Sequence, residues 1–154
     1  MITSCINAFF AALAFGIIFN IRGKSLFFAA LGGAISWLVY SVCHKLGVGE
    51  HYCLLFSSIA FSSYSELMAR LLKTPVTIYI ICALIPLVPG GGMYYTITEV
   101  VLSNYQQAVE TGVNTIASAG ALAMGILIVS SVINISNRLK IKYSRKKEET
   151  SIYQ

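Results

Sequence analysis

Residues 86–95 read PLVPGGGMYY, inside an apolar run that begins near Val76 and ends near Ile97. Two prolines and three glycines fall between Pro86 and Gly92. Each proline removes a backbone donor and crowds the turn before it, and each glycine carries a large entropy cost in a helix. No regular helix passes through such a stretch. The surrounding sequence decides whether it is a loop or a broken membrane helix.

The flanks are those of a membrane protein. Of the 154 residues, 56% are hydrophobic and 11% charged, against roughly 25% charged in soluble domains. The mean hydropathy is +0.74. So few charges cannot cover the surface of a water-soluble fold of this size. The net charge of +5 comes mainly from RLKIKYSRKK, residues 138–147, directly after an apolar segment. That placement suits a cytoplasmic membrane flank against anionic lipid rather than a nucleic-acid site. The N-terminal MITSCINAFF has no Lys or Arg ahead of its apolar run, unlike a secretory signal, so it is expected to stay as a span. Cys5, Cys43, Cys53 and Cys82 show no metal-ligand spacing with His44 or His51 and read as small apolar side chains. Cys43 and Cys53 flank one short loop, and the sequence leaves their pairing open.

A helix needs about 20 apolar residues to cross the hydrocarbon core. Five segments are expected to do so: residues 2–21, 25–43, 52–69, 75–98 and 112–137. The expected fold is therefore an all-α membrane protein of five transmembrane helices, the fourth broken at Pro86–Gly92. Residues 1–137 form the membrane domain and residues 138–154 a basic cytoplasmic tail. Arg22 and Lys24 follow the first segment, Arg70 and Lys73 the third, and the tail the fifth, so ten of the eleven Lys and Arg share one side. Lys45 alone lies on the other. The positive-inside rule then puts the N-terminus outside and the C-terminus in the cytoplasm. Residues 99–112, EVVLSNYQQAVETG, keep apolar or small residues at helical spacing and are expected to form a short amphipathic helix on the outer interface.

Small residues recur at four-residue steps: Ala8, Ala12 and Gly16; Ala29 and Gly33; Ala117, Ala121 and Gly125. Such stripes let helices approach closely where lipid offers no hydrophobic drive for association. They pack the bundle internally or face another protein; the sequence admits both.

A broken helix in lipid must be enclosed by protein or line an aqueous cavity. Discontinuous helices near the midplane are how many transporters build a substrate site. The expected substrate-binding residues are accordingly Pro86, Pro89, Gly90, Gly91, Gly92, Tyr94 and Tyr95. Free N–H groups of the second half-helix suit a carboxylate, and the tyrosines add hydroxyls. The alternative is a packing kink. Glu66 is the carboxylate deepest in an apolar segment, on a face with Ser58, Ser62 and Ser65. Arg70 stands one turn later, so the pair is either an interfacial salt bridge or an ion-coupling or gating element. His44 and His51 are expected in the outer loop, facing solvent. No catalytic triad, metal cluster or phosphate loop is visible, so an enzyme, a cofactor and ATP-driven transport are not expected.

SELMARLLKTP, residues 65–75, followed by PLVPGGGMYYTI, residues 86–97, resembles the threonine/serine exporter (ThrE) family, and most closely its short, YjjB-like small subunits. The later TGVNTIASAGALAMGI is similar to that family's last span. The resemblance implies secondary export of small carboxylated metabolites, threonine and serine or succinate, from the cell inner membrane. It also implies a YjjP-like large membrane subunit supplying the other half. A proton gradient is the expected driving force. The alternative is a non-transporting scaffold or regulatory membrane subunit.

Overall fold

The computed structural model describes the backbone of residues 2–152 and the side chains of residues 2–136. Every regular element among them is helical: α1 (Ile2–Ile18), α2 (Lys24–Lys45), α3 (Glu50–Leu72), α4 (Val76–Leu84), one 3-10 turn (Ile85–Leu87), α5 (Gly90–Val101) and α6 (Tyr105–Ile152). Gly23 and Gly47, both at positive φ, sit in the two tight connections around α2. A residue without a side chain takes that conformation at no steric cost.

Neighbouring axes meet at small residues. The Cβ of Ala12 on α1 lies 2.5 Å from where a Cβ on Gly33 of α2 would stand. Ala8, Ala12 and Gly16 are buried in that contact, as are Ala29 and Gly33. Two of the three stripes thus pack the bundle from within. The third divides: Gly125 is buried against Ser58 and the Leu55 carbonyl of α3, whereas Ala117 is exposed.

α3 is the enclosed helix, packed by α2, α4 and α6. It buries five serine or alanine side chains, Ser57, Ser58, Ser62, Ser65 and Ala69, beside Cys53, Leu54 and Phe61. The hydroxyls find carbonyls nearby. Ser57 donates to the Ser36 carbonyl of α2, and Ser58 to its own Leu55 carbonyl at 2.8 Å. Tyr64 reaches across to the Phe28 carbonyl at 2.9 Å. Only Ser62 and Ser65 have buried hydroxyls without a partner among the described residues. Protein neighbours permit this serine content, which lowers the hydropathy of α3 below that of a lipid-facing helix.

The contacts also give directions. Ser57–Ser36 and Tyr64–Phe28 make α2 and α3 antiparallel. His51 meets Ser118 and Ser58 meets Gly125, so α3 and α6 advance together and run parallel. Gly92 meets Thr115 and Thr96 meets Gly112, so α5 runs antiparallel to α6.

By length and apolarity α2 and residues 105–136 of α6 are long enough to cross a membrane, and the bent pair Val76–Leu87 and Gly90–Val101 makes a third candidate. α1 is apolar but shorter. The 99–112 segment departs from expectation. Its first residues complete α5, a turn passes through Ser103 at positive φ, and its remainder opens α6 without a break. Of the residues whose spacing suggested a separate helix, Ala108 is buried and Gly112 packs against Thr96 of α5, while Val101 and Tyr105 stay exposed. The 138–154 tail continues α6 in backbone as far as Ile152; its side chains lie outside the described residues.

Gly125 and Gly120 separate the role of close approach from helix propensity. A Cβ at Gly125 collides with Ser58 and with a backbone oxygen at 2.9 Å, whereas one at Gly120 meets nothing. Gly125→Ala should cost about 1–3 kcal/mol. Gly120→Ala should be neutral or stabilise by up to about 1 kcal/mol. Unfolding in detergent, followed by circular dichroism, reads both.

Candidate functional site

The helix break is where the sequence put it, and it starts at mid-bundle. The Pro86 ring packs 3.6 Å from the Cβ position of Gly33, near the middle of α2. Leu87 is buried with Leu54, Phe61, Ala83 and Leu122. Val88 is extended, and Pro89, at φ −75° and ψ 54°, closes a three-residue turn in which the Gly90 N–H donates to the Val88 carbonyl at 2.7 Å. The first helical bond of α5 is Met93 N–H to the Pro89 carbonyl, 3.2 Å. Gly91 and Gly92 lie in the first turn of α5, where a helix has no intrahelical acceptor for its N–H groups. The axis bends by 52° across the break.

After the bend, α5 leaves the bundle and packs chiefly on the start of α6. Gly92 seats against the Thr115 side chain, and Thr96 donates to the Gly92 carbonyl at 2.7 Å. No residue of α5 is buried. Gly90 faces open space, and a Cβ on Gly91 would meet only the Tyr95 ring at 4.0 Å. Tyr94 and Tyr95 are 67% and 62% exposed and pack edge to face on each other.

Two cavities flank the break. The first, of about 420 Å³, is lined by Pro89 and Gly92, by Glu50 and His51 at the start of α3, and by Gln107, Glu110, Thr111, Asn114, Thr115 and Ser118 of α6. Buried Thr115 and Ser118 form its floor, while Glu50, Gln107, Glu110 and Asn114 are exposed at its rim. His51 Nδ1 stands 3.3 Å from Ser118 Oγ, bridging α3 and α6. His51 is thus half-buried in a polar cavity, not turned to solvent as its loop position suggested. The α5 N-terminus brings partial positive charge to this space and the two glutamates negative charge.

The second cavity, of about 340 Å³, lies on the other side of the break. Pro86 lines it together with Ser4, Asn7, Ala8 and Ala11 of α1 and Trp37 of α2. Pro86, Pro89 and Gly92 therefore line cavities, while Gly90, Gly91, Tyr94 and Tyr95 lie on the exposed side of α5.

Glu66 and Arg70 are elsewhere. Glu66 is sixteen residues along α3 from Glu50, ~24 Å at the helical rise. Its carboxylate lies 3.9 Å from the Arg70 guanidinium, with the side chains 18% and 48% exposed respectively. No group of three or more potential metal ligands occurs among the described residues, and the four cysteines are free.

Residues 4–132 match the threonine/serine exporter family, ThrE. The chain belongs to that family. Nothing among curated proteins matches, nor does any solved structure. Threonine/serine exporters are transporters, and the apolar helices, broken span and polar cavities of this membrane protein accord with that. The exporter's break is built from local sequence, but the first cavity is assembled from three segments that the chain keeps far apart.

The contact between His51 and Ser118 is open to a double-mutant cycle. His51→Ala and Ser118→Ala should each lower stability, with a coupling of about 0.5–1.5 kcal/mol between them, measured by denaturation in detergent.

Proposed function

We propose that this exporter chain is the small subunit of a two-component secondary carrier, paired with a YjjP-like large subunit in the cytoplasmic membrane. It crosses five times, with its N-terminus outside. The charge distribution supports that orientation, since ten of eleven Lys and Arg share a side. Helix directions support the count. α1, α2 and α3 alternate, and the parallel course of α3 and α6 makes α4 with α5 one return crossing.

The observation that carries the substrate reading is the first cavity. There a helix N-terminus and two carboxylates line one space with hydroxyl and amide groups. A zwitterion fits such a lining: its carboxylate at the Gly92 N–H group, its ammonium toward Glu50 and Glu110, its hydroxyl toward Asn114 or Ser118. A dicarboxylate such as succinate would set its second charge against the glutamates, which costs more as water is excluded. The amino acids are therefore the preferred cargo. Gly90, Gly91, Tyr94 and Tyr95 reach the substrate when the large subunit closes over α5, which this chain leaves uncovered. Export is driven by protons, with Glu66 and Arg70 serving coupling or gating at the inner end.

Gly91 gives a clean test, because a larger side chain there meets no packed neighbour. Gly91→Leu should cut efflux of labelled serine about tenfold, because its side chain stands between α5 and the substrate when the large subunit closes. Normal efflux at normal protein level would remove Gly91 from the site. Efflux by this chain without a partner would refute the two-component arrangement.

Glu66→Gln keeps the shape of the side chain and removes its charge. If Glu66 couples transport to protons, this variant should flatten the dependence of efflux on external pH while serine–serine exchange persists. An unchanged pH profile would leave the Glu66–Arg70 pair a structural contact.

A further inference from the structure

The cavity beside Pro86 does not end there. A neighbouring space of about 250 Å³ shares Ser4 and Trp37 with it and continues past Tyr40 and Ser41 to His44 and Lys45 at the end of α2. Together the two form a groove between α1 and α2, from mid-bundle to the α2 C-terminus. Its origin is the broken span. α4 and the 3-10 turn fill the face of the α1–α2 hairpin as far as Pro86, and beyond that point α5 bends away toward α6. Half a helix is missing from this face of the bundle.

The walls mix polar groups with apolar ones, the polar groups gathering toward the mouth. α1 is otherwise strongly apolar, yet Ser4 and Asn7 both line the groove. Opposite them stand the Trp37 and Tyr40 rings, in contact at 5.5 Å, and Ser41. A polar amide in hydrocarbon without a partner is costly, and such groups in spans ordinarily face protein or water. The mouth carries Lys45, the one basic residue on this side of the chain, with His44 beside Tyr40.

We propose that this groove is a water-filled outward passage, reaching from the helix break to the external face, that admits a small carboxylate-bearing solute past Lys45. Its wetness stands on the groove itself; the identity of the solute rests on the exporter reading above. Depth follows the chain. Ser41 is near the mouth, Ser4 midway and Ala11 at the inner end near Pro86.

The test is cysteine accessibility in intact cells, in a chain with Cys5 and Cys43 replaced by alanine, since Cys53 and Cys82 are buried. Ser41→Cys, Ser4→Cys and Ala11→Cys should react with an external, membrane-impermeant anionic thiosulfonate. Phe10→Cys, 60% exposed on α1 but off the groove, should not. Lys45→Glu should slow the anionic reagent about tenfold and not slow a cationic one of similar size. Reagent bound at Ala11→Cys should block efflux of labelled serine, while Ala11→Ser exports normally and is unaffected. An unreactive Ala11→Cys beside a reactive Ser41→Cys would overturn the proposal, because the groove would be sealed by lipid or protein. Reaction at Ala11→Cys with efflux intact would equally overturn it, leaving a vestibule off the path. Cells that export no labelled serine before modification would defeat the exporter reading and the solute with it, while the labelling still decides whether the groove holds water.

Discussion

Helix axes in this chain meet where side chains are smallest. Lipid gives two apolar helices no reason to associate, so association depends on backbone approach and on hydrogen bonds between faces. Gly33 against Ala12, Gly125 against Ser58 and Gly92 against Thr115 are three instances, one for each pairing: α1 with α2, α3 with α6, and α5 with α6. Each leaves no room for a methyl group. The serines of α3 belong to the same scheme, since a small hydroxyl can approach a neighbouring backbone and bond to it at once, as Ser57 does with Ser36.

Close approach on some faces creates space on others. The break between Pro86 and Pro89 lets the chain abandon the α1–α2 face at mid-bundle and re-form a helix against α6. Both flanking cavities follow from that single departure. Pro86 ends up lining one and Pro89 with Gly92 the other, three residues apart on opposite sides of the same turn. Their electrostatics differ: glutamates and a helix N-terminus border the first, lysine and histidine the mouth of the second.

Local features of this arrangement were legible in the sequence. Breakers packed within seven residues declare a broken helix whatever surrounds them, and small residues at four-residue steps declare a close contact. Neither says which contact, so the stripe around Ala117 could not be told from the two that are wholly internal. The first cavity was less visible, because His51, Glu110 and Ser118 converge only through the parallel packing of α3 and α6. One signal was present in Thr111, Asn114, Thr115 and Ser118, whose helical spacing makes a polar face at the start of the last span. The helical spacing within residues 99–112 was genuine, but it is divided between the end of α5 and the start of α6, and only Ala108 and Gly112 of it meet a neighbouring helix. Sequence period reports that a face is buried and is silent on what buries it.

α6 runs unbroken from Tyr105 to Ile152, 48 residues or ~72 Å at the helical rise. It begins level with the first cavity, where Thr115 and Ser118 make the floor, and it ends in the segment that bears most of the positive charge. A rod of this kind has no joint to absorb displacement. If its upper end pivots as the cavity empties or fills, its lower end must swing the opposite way, with α3 as fulcrum where Gly125 sits on Ser58. One continuous helix thus ties the wall of the first cavity to the basic end of the chain, so a tilt at either end is felt at the other.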